Sequence, residues 1–278
     1  MNDWQKTTKE LRKDIFLAGY AGGIAHLASA FSCVEIIYAL YCGGVMRHRP
    51  NAPCWQDRDR FILSKGHGSL ALYSVLCHAG YFGKEQLFAF SRPGTKLGGE
   101  PSLCPELGIE ASTGSLGHGL SLGLGMALGA KNQDNPANIF VLIGDGECQE
   151  GSIWEAVMSA VKYNTNNLIA ILDYNRIQKM DTVKAVLAID DWESRFSSFG
   201  WDCVRVNGHD VPALIKAIKP HQSLPRLVIA ETVKGKGLSL MEENPGWHWR
   251  MPNKRELKIF MSELNISPEE LESCKKRI

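Results

Sequence analysis

Two short polar clusters have the residue types and the spacing to bind a metal ion together with a phosphate group. The segment IFVLIGDGECQEG places Asp145 between Gly144 and Gly146, and Asn175 follows thirty residues later in LIAILDYNRIQ. A carboxylate and an amide oxygen are ligands that Mg²⁺ or Ca²⁺ prefers, and Mg²⁺ completes its octahedron with water and phosphate oxygens. The two glycines would let the backbone approach a phosphate closely. We therefore predict a metal and phosphate site around Asp145 and Asn175.

Both clusters come where an apolar segment ends, and the surrounding pattern predicts how they meet. IFVLIG and NLIAILDYN are continuous apolar runs separated by a helical pattern, which is typical of strands buried on both faces of a parallel sheet. DRFILS, WDCVRVNG and RLVIAETV extend this sheet. The sequence predicts an α/β fold, doubly wound, with a mainly parallel sheet and helices on both faces. Because ligands bind at the carboxyl ends of such strands, Asp145 and Asn175 are expected at one edge.

The remaining segments predict helices, one glycine- and proline-rich loop at residues 91–110, and a single domain over residues 1–278. Helices are predicted over residues 5–18, through SCVEIIYALYC, after the turn at Lys65 to Gly68, after STGSLGHG, through GSIWEAVMSAVKYN, at VPALIKAIK, near Lys254 to Leu264, and from Ser267.

The composition excludes several classes of partner. Thirty-one basic residues against thirty acidic ones leave a formal charge of +1, which argues against nucleic acid or an anionic membrane as a partner. No stretch has eighteen uninterrupted apolar residues, so a membrane span is not expected. The eight cysteines form no C-x-x-C pair and the sequence has no signal peptide, so we expect a cytoplasmic protein with reduced thiols.

The polar clusters resemble the signature of thiamine diphosphate enzymes, in which GDG is followed about thirty residues later by Asn. Three further segments, FILSKGHGSLALY, STGSLGHGLSLGLGMALG and KGKGLSLMEENPGWH, make the chain similar to the transketolase family over nearly its whole length. The resemblance implies the diphosphate-binding domain of the thiamine-diphosphate-binding fold. It also implies a thiamine diphosphate cofactor held through Mg²⁺ or Ca²⁺, with Asp145, Asn175 and the backbone carbonyl of Ile177 as metal ligands.

The same resemblance implies roles for other residues around the cofactor. His26, His67 and His248 match family histidines that line the cofactor diphosphate and the substrate channel, where imidazoles can donate hydrogen bonds and transfer protons. Gly114 and Leu116 match positions where a loop meets the cofactor rings. Other matches are Gly144 and Gly146 beside the diphosphate, and Glu150 and Glu155 near the subunit interface on the pyrimidine side. The other five histidines are expected to be structural or surface residues: His48, His78, His118, His209 and His221.

The sequence departs from the family beside the expected substrate channel. Glu100 in LGGEP stands where the family usually has a histidine that touches the donor sugar, and Trp249 replaces a glycine after His248. A carboxylate cannot act as a cation toward a donor phosphate. We hypothesise that Glu100 hydrogen-bonds hydroxyls or an amine of a different donor. Because neither change touches the metal motif, cofactor binding is better supported than any particular sugar phosphate substrate.

The resemblance implies the N-terminal subunit of a two-component enzyme. Such an enzyme transfers a two-carbon ketol unit from a ketose or ketose phosphate donor to an aldose or another acceptor. The family's pyrimidine-binding domain, with the glutamate that activates the cofactor, is absent from this chain and is expected on a C-terminal partner subunit, with two copies of each. We expect little activity from the chain alone.

Alternative functions are considered beside this one. A catalytically degenerate paralogue or scaffold subunit would keep the fold without the transfer reaction, and a decarboxylating or acyl-transferring relative would use the same cofactor. A nicotinamide enzyme would need G-x-G-x-x-G directly after a strand. GLGMALG has the wrong spacing and lies within a predicted helix, so this reading is not supported.

Overall fold

One five-stranded sheet organises the part of the chain that the computed structural model describes, residues 2–189, 191–220 and 223–276. All neighbouring strands are parallel, and their order across the sheet is β1-β2-β3-β5-β4. The strands are β1 (Arg60–Leu63), β2 (Ile139–Gly144), β3 (Leu168–Tyr174), β4 (Asp202–Asn207) and β5 (Arg226–Glu231). The predicted α/β class with a parallel sheet is confirmed.

Twelve α-helices lie within the same described residues, and none of them has the length and apolar character needed to cross a membrane. They are α1 (Asp3–Gly22), α2 (Leu27–Ser32), α3 (Val34–Tyr41), α4 (Ser69–His78), α5 (Lys84–Phe88), α6 (Gly119–Asn132), α7 (Gly151–Lys162), α8 (Val183–Val186), α9 (Trp192–Ser198), α10 (Val211–Ala217), α11 (Lys254–Glu263) and α12 (Pro268–Lys276).

The continuous apolar character of the central strands reflects two hydrophobic cores, one on each face of the sheet. In β2, Phe140 and Leu142 enter the core that contains α1 to α4, α10 and α11. Ile139, Val141 and Ile143 alternate with them and enter the core that contains α6, α7 and α9. Fully burying an aliphatic or aromatic side chain of this size contributes about 1.5–3 kcal/mol. Helices therefore cover both faces, as a doubly wound fold requires.

The strand register aligns the carboxyl ends of the strands at one edge of the sheet. Leu63 pairs with Leu142, and Gly144 pairs with Asp173, which in turn pairs with Ala230. The first residues after β1, β2, β3 and β5 consequently emerge side by side. This edge carries both polar clusters that the sequence singled out.

Two segments differ in detail from the sequence prediction. The helix predicted through SCVEIIYALYC is interrupted at Cys33, which ends α2 with a bond from its N–H to the carbonyl of Ala30 before α3 begins. Residues 91–110, predicted only as a loop, are held by a bond from the Ser91 N–H to the Leu97 carbonyl and by a β-bridge between Cys104 and Ile109. The short helices α5, α8 and α9 were not predicted, since each has at most seven residues and too few turns for a clear periodic pattern.

Candidate functional site

Asp145 is buried immediately after β2, in the GDG turn. One carboxylate oxygen accepts a hydrogen bond from the Gly146 N–H at 2.7 Å, and the other accepts from the Arg176 N–H at 2.5 Å. Burial, followed by repulsion from Asp173, raises the pKa of Asp145 to about 6. An ionised carboxylate in such a position is stabilised strongly by a nearby cation.

The turn after β3 presents Asn175 and Ile177 next to Asp145. Asn175 accepts the Ile177 N–H at 3.1 Å and donates from its amide to Asp173 at 3.2 Å. Arg176 adopts a φ of 66°, which is uncommon for a residue with a side chain and occurs often at functional sites. Because the N–H of Arg176 bonds to Asp145, the turns that follow β2 and β3 are joined directly. The three predicted metal ligands are thus brought to one place.

The donor set of this edge fits a hard divalent cation bound together with a diphosphate. The described residues contain no group of three or more His, Cys, Asp or Glu side chains that could hold a metal ion. A cation beside Asp145 would therefore depend on amide and carbonyl oxygens and on ligands such as phosphate. Gln178 has a buried side-chain amide nitrogen without a hydrogen-bond partner, and a methyl group on Gly146 would lie 3.0 Å from its side chain. An anionic group here would meet an available donor.

A buried ion pair supports the turn that carries Asn175. Lys65, directly after β1, and Asp173, near the end of β3, are in contact, with 1% and 0% of their surfaces exposed. Ser32 donates to the same carboxylate at 2.6 Å, and the Thr232 hydroxyl donates to its other oxygen. Burial acts to raise the pKa of Asp173, but Lys65 and these donors hold it below its ordinary value. Asp173 thereby orients the Asn175 amide.

Glu147 links three segments around the GDG turn. Its buried carboxylate accepts hydrogen bonds from the Gly117 N–H at 2.9 Å, from the Gly144 N–H at 3.0 Å and from the Ser64 hydroxyl. Burial raises its pKa, against the effect of these donors. The sequence analysis passed over Glu147, Lys65 and Asp173. Their only signal was a charged residue within or beside an apolar strand.

The loop before α6 follows a path that requires glycine. Gly114 has a φ of 132° and Gly117 a φ of 87°, both in the region that favours glycine. Leu116 is half-buried between them. Glu150 contacts this loop at Gly117, and both Glu150 and Glu155 are exposed in this single chain. The loop and these two carboxylates therefore form one accessible surface beside the GDG turn.

Replacing Gly117 with alanine should destabilise the chain. The new methyl group would lie 2.7 Å from the Cβ of Glu150 and from the hydroxyl of Ser152, and the positive φ adds strain. We expect a loss of about 1–3 kcal/mol in the free energy of unfolding, measured by urea denaturation. Gly125→Ala is the control, since nothing lies within 4 Å of a methyl group at that position in α6. It should gain about 0.5–1 kcal/mol. Equal effects of the two variants would contradict the steric argument.

The three histidines singled out by the sequence form a cluster. The ring centroids of His26 and His67 are 5.6 Å apart, those of His26 and His248 are 5.1 Å apart, and those of His67 and His248 are 5.7 Å apart. Burial lowers the pKa of His26 to about 4 and that of His248 to about 3, with a further contribution from Lys234. It also lowers the pKa of His67 well below its ordinary value. All three imidazoles are therefore neutral near pH 7.

The two residues that depart from the family border this cluster. The indole ring of Trp249 lies 4.1 Å from the imidazole of His26, and 48% of the Trp249 surface is exposed. Glu100 is half-buried and packs against Gly66, the residue before His67, and against Gly114. Both departures therefore lie where they can affect what the cluster binds.

Lys234 connects the metal-ligand turn to the histidine cluster, a role that the sequence analysis did not assign. Its ammonium group donates to the carbonyls of Ile177 at 2.9 Å and Gln178 at 3.2 Å, and lies 3.3 Å from a ring nitrogen of His248. Burial, with repulsion from Lys65, lowers its pKa to about 8. An anion bound at this edge would find a cation that has no carboxylate in an ion pair with it among the described residues.

A second buried network fixes the segment that carries Lys234. The Nε2 of His209 accepts the N–H of Val233 at 2.9 Å, so its Nδ1 donates to Glu35 at 2.9 Å. Arg12 binds both oxygens of Glu35, at 2.6 and 2.7 Å. His209 is therefore structural, as expected, whereas His221 lies outside the described residues.

Comparisons with known proteins agree in one direction. Residues 10–272 match the family described as "Transketolase, thiamine diphosphate binding domain". One of the two subunits of an apulose-4-phosphate transketolase of Phocaeicola vulgatus is 37% identical over 264 residues, which is 94% of this chain and 93% of that protein. A 6-deoxy-6-sulfo-D-fructose transketolase subunit of a Clostridium species is 39% identical over 223 residues, 79% of this chain and 81% of that protein.

Solved structures extend the likeness to the fold. A crystal structure of a mutant transketolase from Pichia stipitis matches all of this chain with a TM-score of 0.86 and 28% sequence identity. The chain spans 44% of the length of that protein. The likeness therefore covers the whole of this chain and less than half of the larger protein.

Proposed function

The chain belongs to the transketolase family, and from this premise we propose that it is the diphosphate-binding subunit of a two-chain, thiamine diphosphate-dependent transketolase. Such an enzyme would move a two-carbon ketol unit from a ketose or ketose phosphate to an aldose or another acceptor. The observation that carries the proposal is the meeting of two sets of residues at one sheet edge. The Asp145 and Asn175 turns provide oxygen ligands there, and the neutral histidine cluster lies beside them.

In this proposal the strand-end turns hold the cofactor's diphosphate through a divalent cation, Mg²⁺ or Ca²⁺. Asp145, the amide oxygen of Asn175 and the carbonyl of Ile177 bind the cation, whose positive charge offsets the cost of burying the Asp145 carboxylate. Gly144 and Gly146 let phosphate oxygens approach the backbone. When bound, the thiamine diphosphate supplies the carbon nucleophile that the protein itself lacks.

The side chains around the diphosphate then have distinct tasks. Lys234 offsets the negative charge of the phosphates, and the free amide N–H of Gln178 donates to one of their oxygens. His67 and His248 contact the cofactor, while His26 faces the substrate. Because their pKa values are low, these histidines remain neutral, and each ring offers one donor and one acceptor to sugar hydroxyls.

We propose that a second chain completes the site by supplying a pyrimidine-binding domain and its glutamate, with two copies of each subunit. Two relatives that match most of their length are named as transketolase subunits. On this chain, Leu122 of α6 and Met158 of α7 expose 43% and 49% of their surfaces close to Glu150 and Glu155. An apolar patch with acidic residues at its border suits a protein partner. Gly114 and Leu116 would face the cofactor rings across this interface.

The isolated chain, given thiamine diphosphate and Mg²⁺, should transfer ketol units at least about 100-fold more slowly than the complex with its partner subunit. The reason is that removing a general acid–base group costs about 10²–10⁴-fold. The measurement is a coupled ketol-transfer assay on the isolated chain and on the reconstituted complex. Full activity of the isolated chain would contradict the two-chain proposal. A complex that binds the cofactor in a metal-dependent way yet transfers nothing would favour the scaffold alternative.

A further inference from the structure

We propose that Glu100 is the residue that recognises the donor, by hydrogen-bonding the hydroxyl group on the carbon next to the donor's reacting carbonyl. This inference rests on the proposed function and deepens it. It assigns a role to the one carboxylate that stands where the family usually has a histidine, and it names the chemical class of the group bound, an uncharged hydroxyl.

The backbone on both sides of Glu100 is fixed, so its side chain has a defined direction. The Ser69 hydroxyl donates to the carbonyl of Gly99 at 2.7 Å, and the N–H of Thr113 donates to the carbonyl of Pro101 at 3.0 Å. These bonds tie the residues before and after Glu100 to α4 and to the loop that leads to Gly114. Glu100 is therefore part of the wall of the site, held from two sides.

The carboxyl group of Glu100 lies between two glycines that border the site. A methyl group on Gly66 would collide with Oε2 of Glu100, and a methyl group on Gly114 would lie 3.2 Å from its Cγ. Gly66 directly precedes His67, and Gly114 begins the loop that the proposed function assigns to the cofactor rings. The carboxyl group is thus wedged where the reacting end of a donor would lie.

This carboxyl group has an unused hydrogen-bonding capacity. Its Oε2 is buried and has no hydrogen-bond partner, and the same is true of the hydroxyl of Tyr73 on α4. Burial raises the pKa of Glu100 to about 7, and burial together with the Glu100 carboxylate raises the pKa of Tyr73. Buried polar atoms are costly without partners, and in native proteins almost all of them have one. A ligand that supplies a hydroxyl would remove this cost.

The charges around Glu100 select the type of ligand. Among the described residues no Lys, Arg or His forms an ion pair with it, and the nearby histidines are neutral. An unpaired carboxylate repels a phosphate or a carboxylate, whereas it accepts a hydrogen bond from a hydroxyl. The two-carbon ketol unit has a single hydroxyl, on the carbon beside its carbonyl. That hydroxyl is the group we assign to Glu100.

The test compares two donors that differ only in this hydroxyl, 3-hydroxypyruvate and pyruvate, using the two-chain complex supplied with cofactor and Mg²⁺. For the unchanged complex, kcat/KM should strongly favour 3-hydroxypyruvate. Glu100→Ala should lower that preference by about 10- to 100-fold, the effect of losing a hydrogen bond to a charged group. Glu100→Gln should lose less because it keeps an acceptor. Glu106→Gln, exposed in the same loop, is the matched control and should leave the preference unchanged.

Two further measurements separate this inference from the proposed function. Metal-dependent affinity for thiamine diphosphate should be the same in Glu100→Ala as in the unchanged chain, since Glu100 does not hold the diphosphate. Should the unchanged complex transfer nothing, the proposed function fails, and calorimetric binding of the two donors to the cofactor-loaded complex still tests Glu100. A preference for 3-hydroxypyruvate, in rate or in binding, that is equal with and without the Glu100 carboxyl group would overturn the inference.

Discussion

The variant Asp145→Asn should lose metal-dependent binding of thiamine diphosphate while the chain stays folded. Asparagine keeps one oxygen but removes the negative charge that attracts the cation. Losing a residue that only orients a metal ligand lowers metal affinity about 10- to 100-fold, so losing a ligand's charge should lower it at least about 100-fold. Titration calorimetry with the cofactor, in Mg²⁺ and separately in Ca²⁺, measures the effect.

The stability of Asp145→Asn should change little in a chelating buffer. One of the two backbone N–H bonds to Asp145 would be lost, at a cost of about 1 kcal/mol, but the charge whose burial raises the pKa to about 6 would also be gone. Asp134→Asn is the control, because Asp134 is exposed and its φ of 51° suits asparagine equally well. Unchanged cofactor affinity in Asp145→Asn would disprove the predicted metal site, and an unfolded variant would show that Asp145 is required for the fold itself.

The variant Lys65→Met should lower the free energy of unfolding by about 3–5 kcal/mol, because it leaves the Asp173 carboxylate buried without its cation. Asp173→Asn should also be destabilising, since it leaves the buried ammonium unpaired. The double variant Lys65→Met/Asp173→Asn removes both charges and should recover much of the loss. Urea denaturation of the wild-type chain and the three variants gives the coupling energy directly.

The pH dependence of the Lys65 effect has a defined sign. The pKa of Asp173 is held below its ordinary value of 3.8, so its contribution is present above that value and is lost as the pH falls through the lower pKa. The pKa of Lys65 is raised above 10.5 by Asp173, against the effect of burial, so its contribution is present below that value and is lost at higher pH. The difference between the wild-type chain and Lys65→Met should be constant at intermediate pH. Additive single variants would show that the pair is not coupled.

Local sequence reasoning reached the metal-binding edge because its logic is carried by strand ends. Asp145 and Asn175 each follow an apolar run, and parallel strands present their carboxyl ends together whatever their order in the sheet. The order itself, with β5 between β3 and β4, is absent from local pattern because it depends on which strands pack together in space. The fold class could therefore be predicted, while the arrangement of strands could not.

The residues that support the site were beyond local pattern for a similar reason. Asp173 is visible as a charge within an apolar strand, but nothing nearby in the sequence identifies Lys65 as its partner, 108 positions away. His26, His67 and His248 were identified by resemblance alone, because their convergence depends on three distant segments. Lys234 lies in KGKG, where two lysines look alike, and only the fold distinguishes the buried Lys234 from the more exposed Lys236.

The contact between His26 and His248 has a consequence for how the chain acquires its site. These rings meet across almost the whole length of the sequence, and the strands that hold the metal ligands lie between them in chain order. A site with such long-range contacts can form only after the sheet is assembled, because the entropy of closing so large a loop must be offset by packing that is already in place. A ligand that binds this site then acts as a late fastener, stabilising the early and late parts of the chain as one unit.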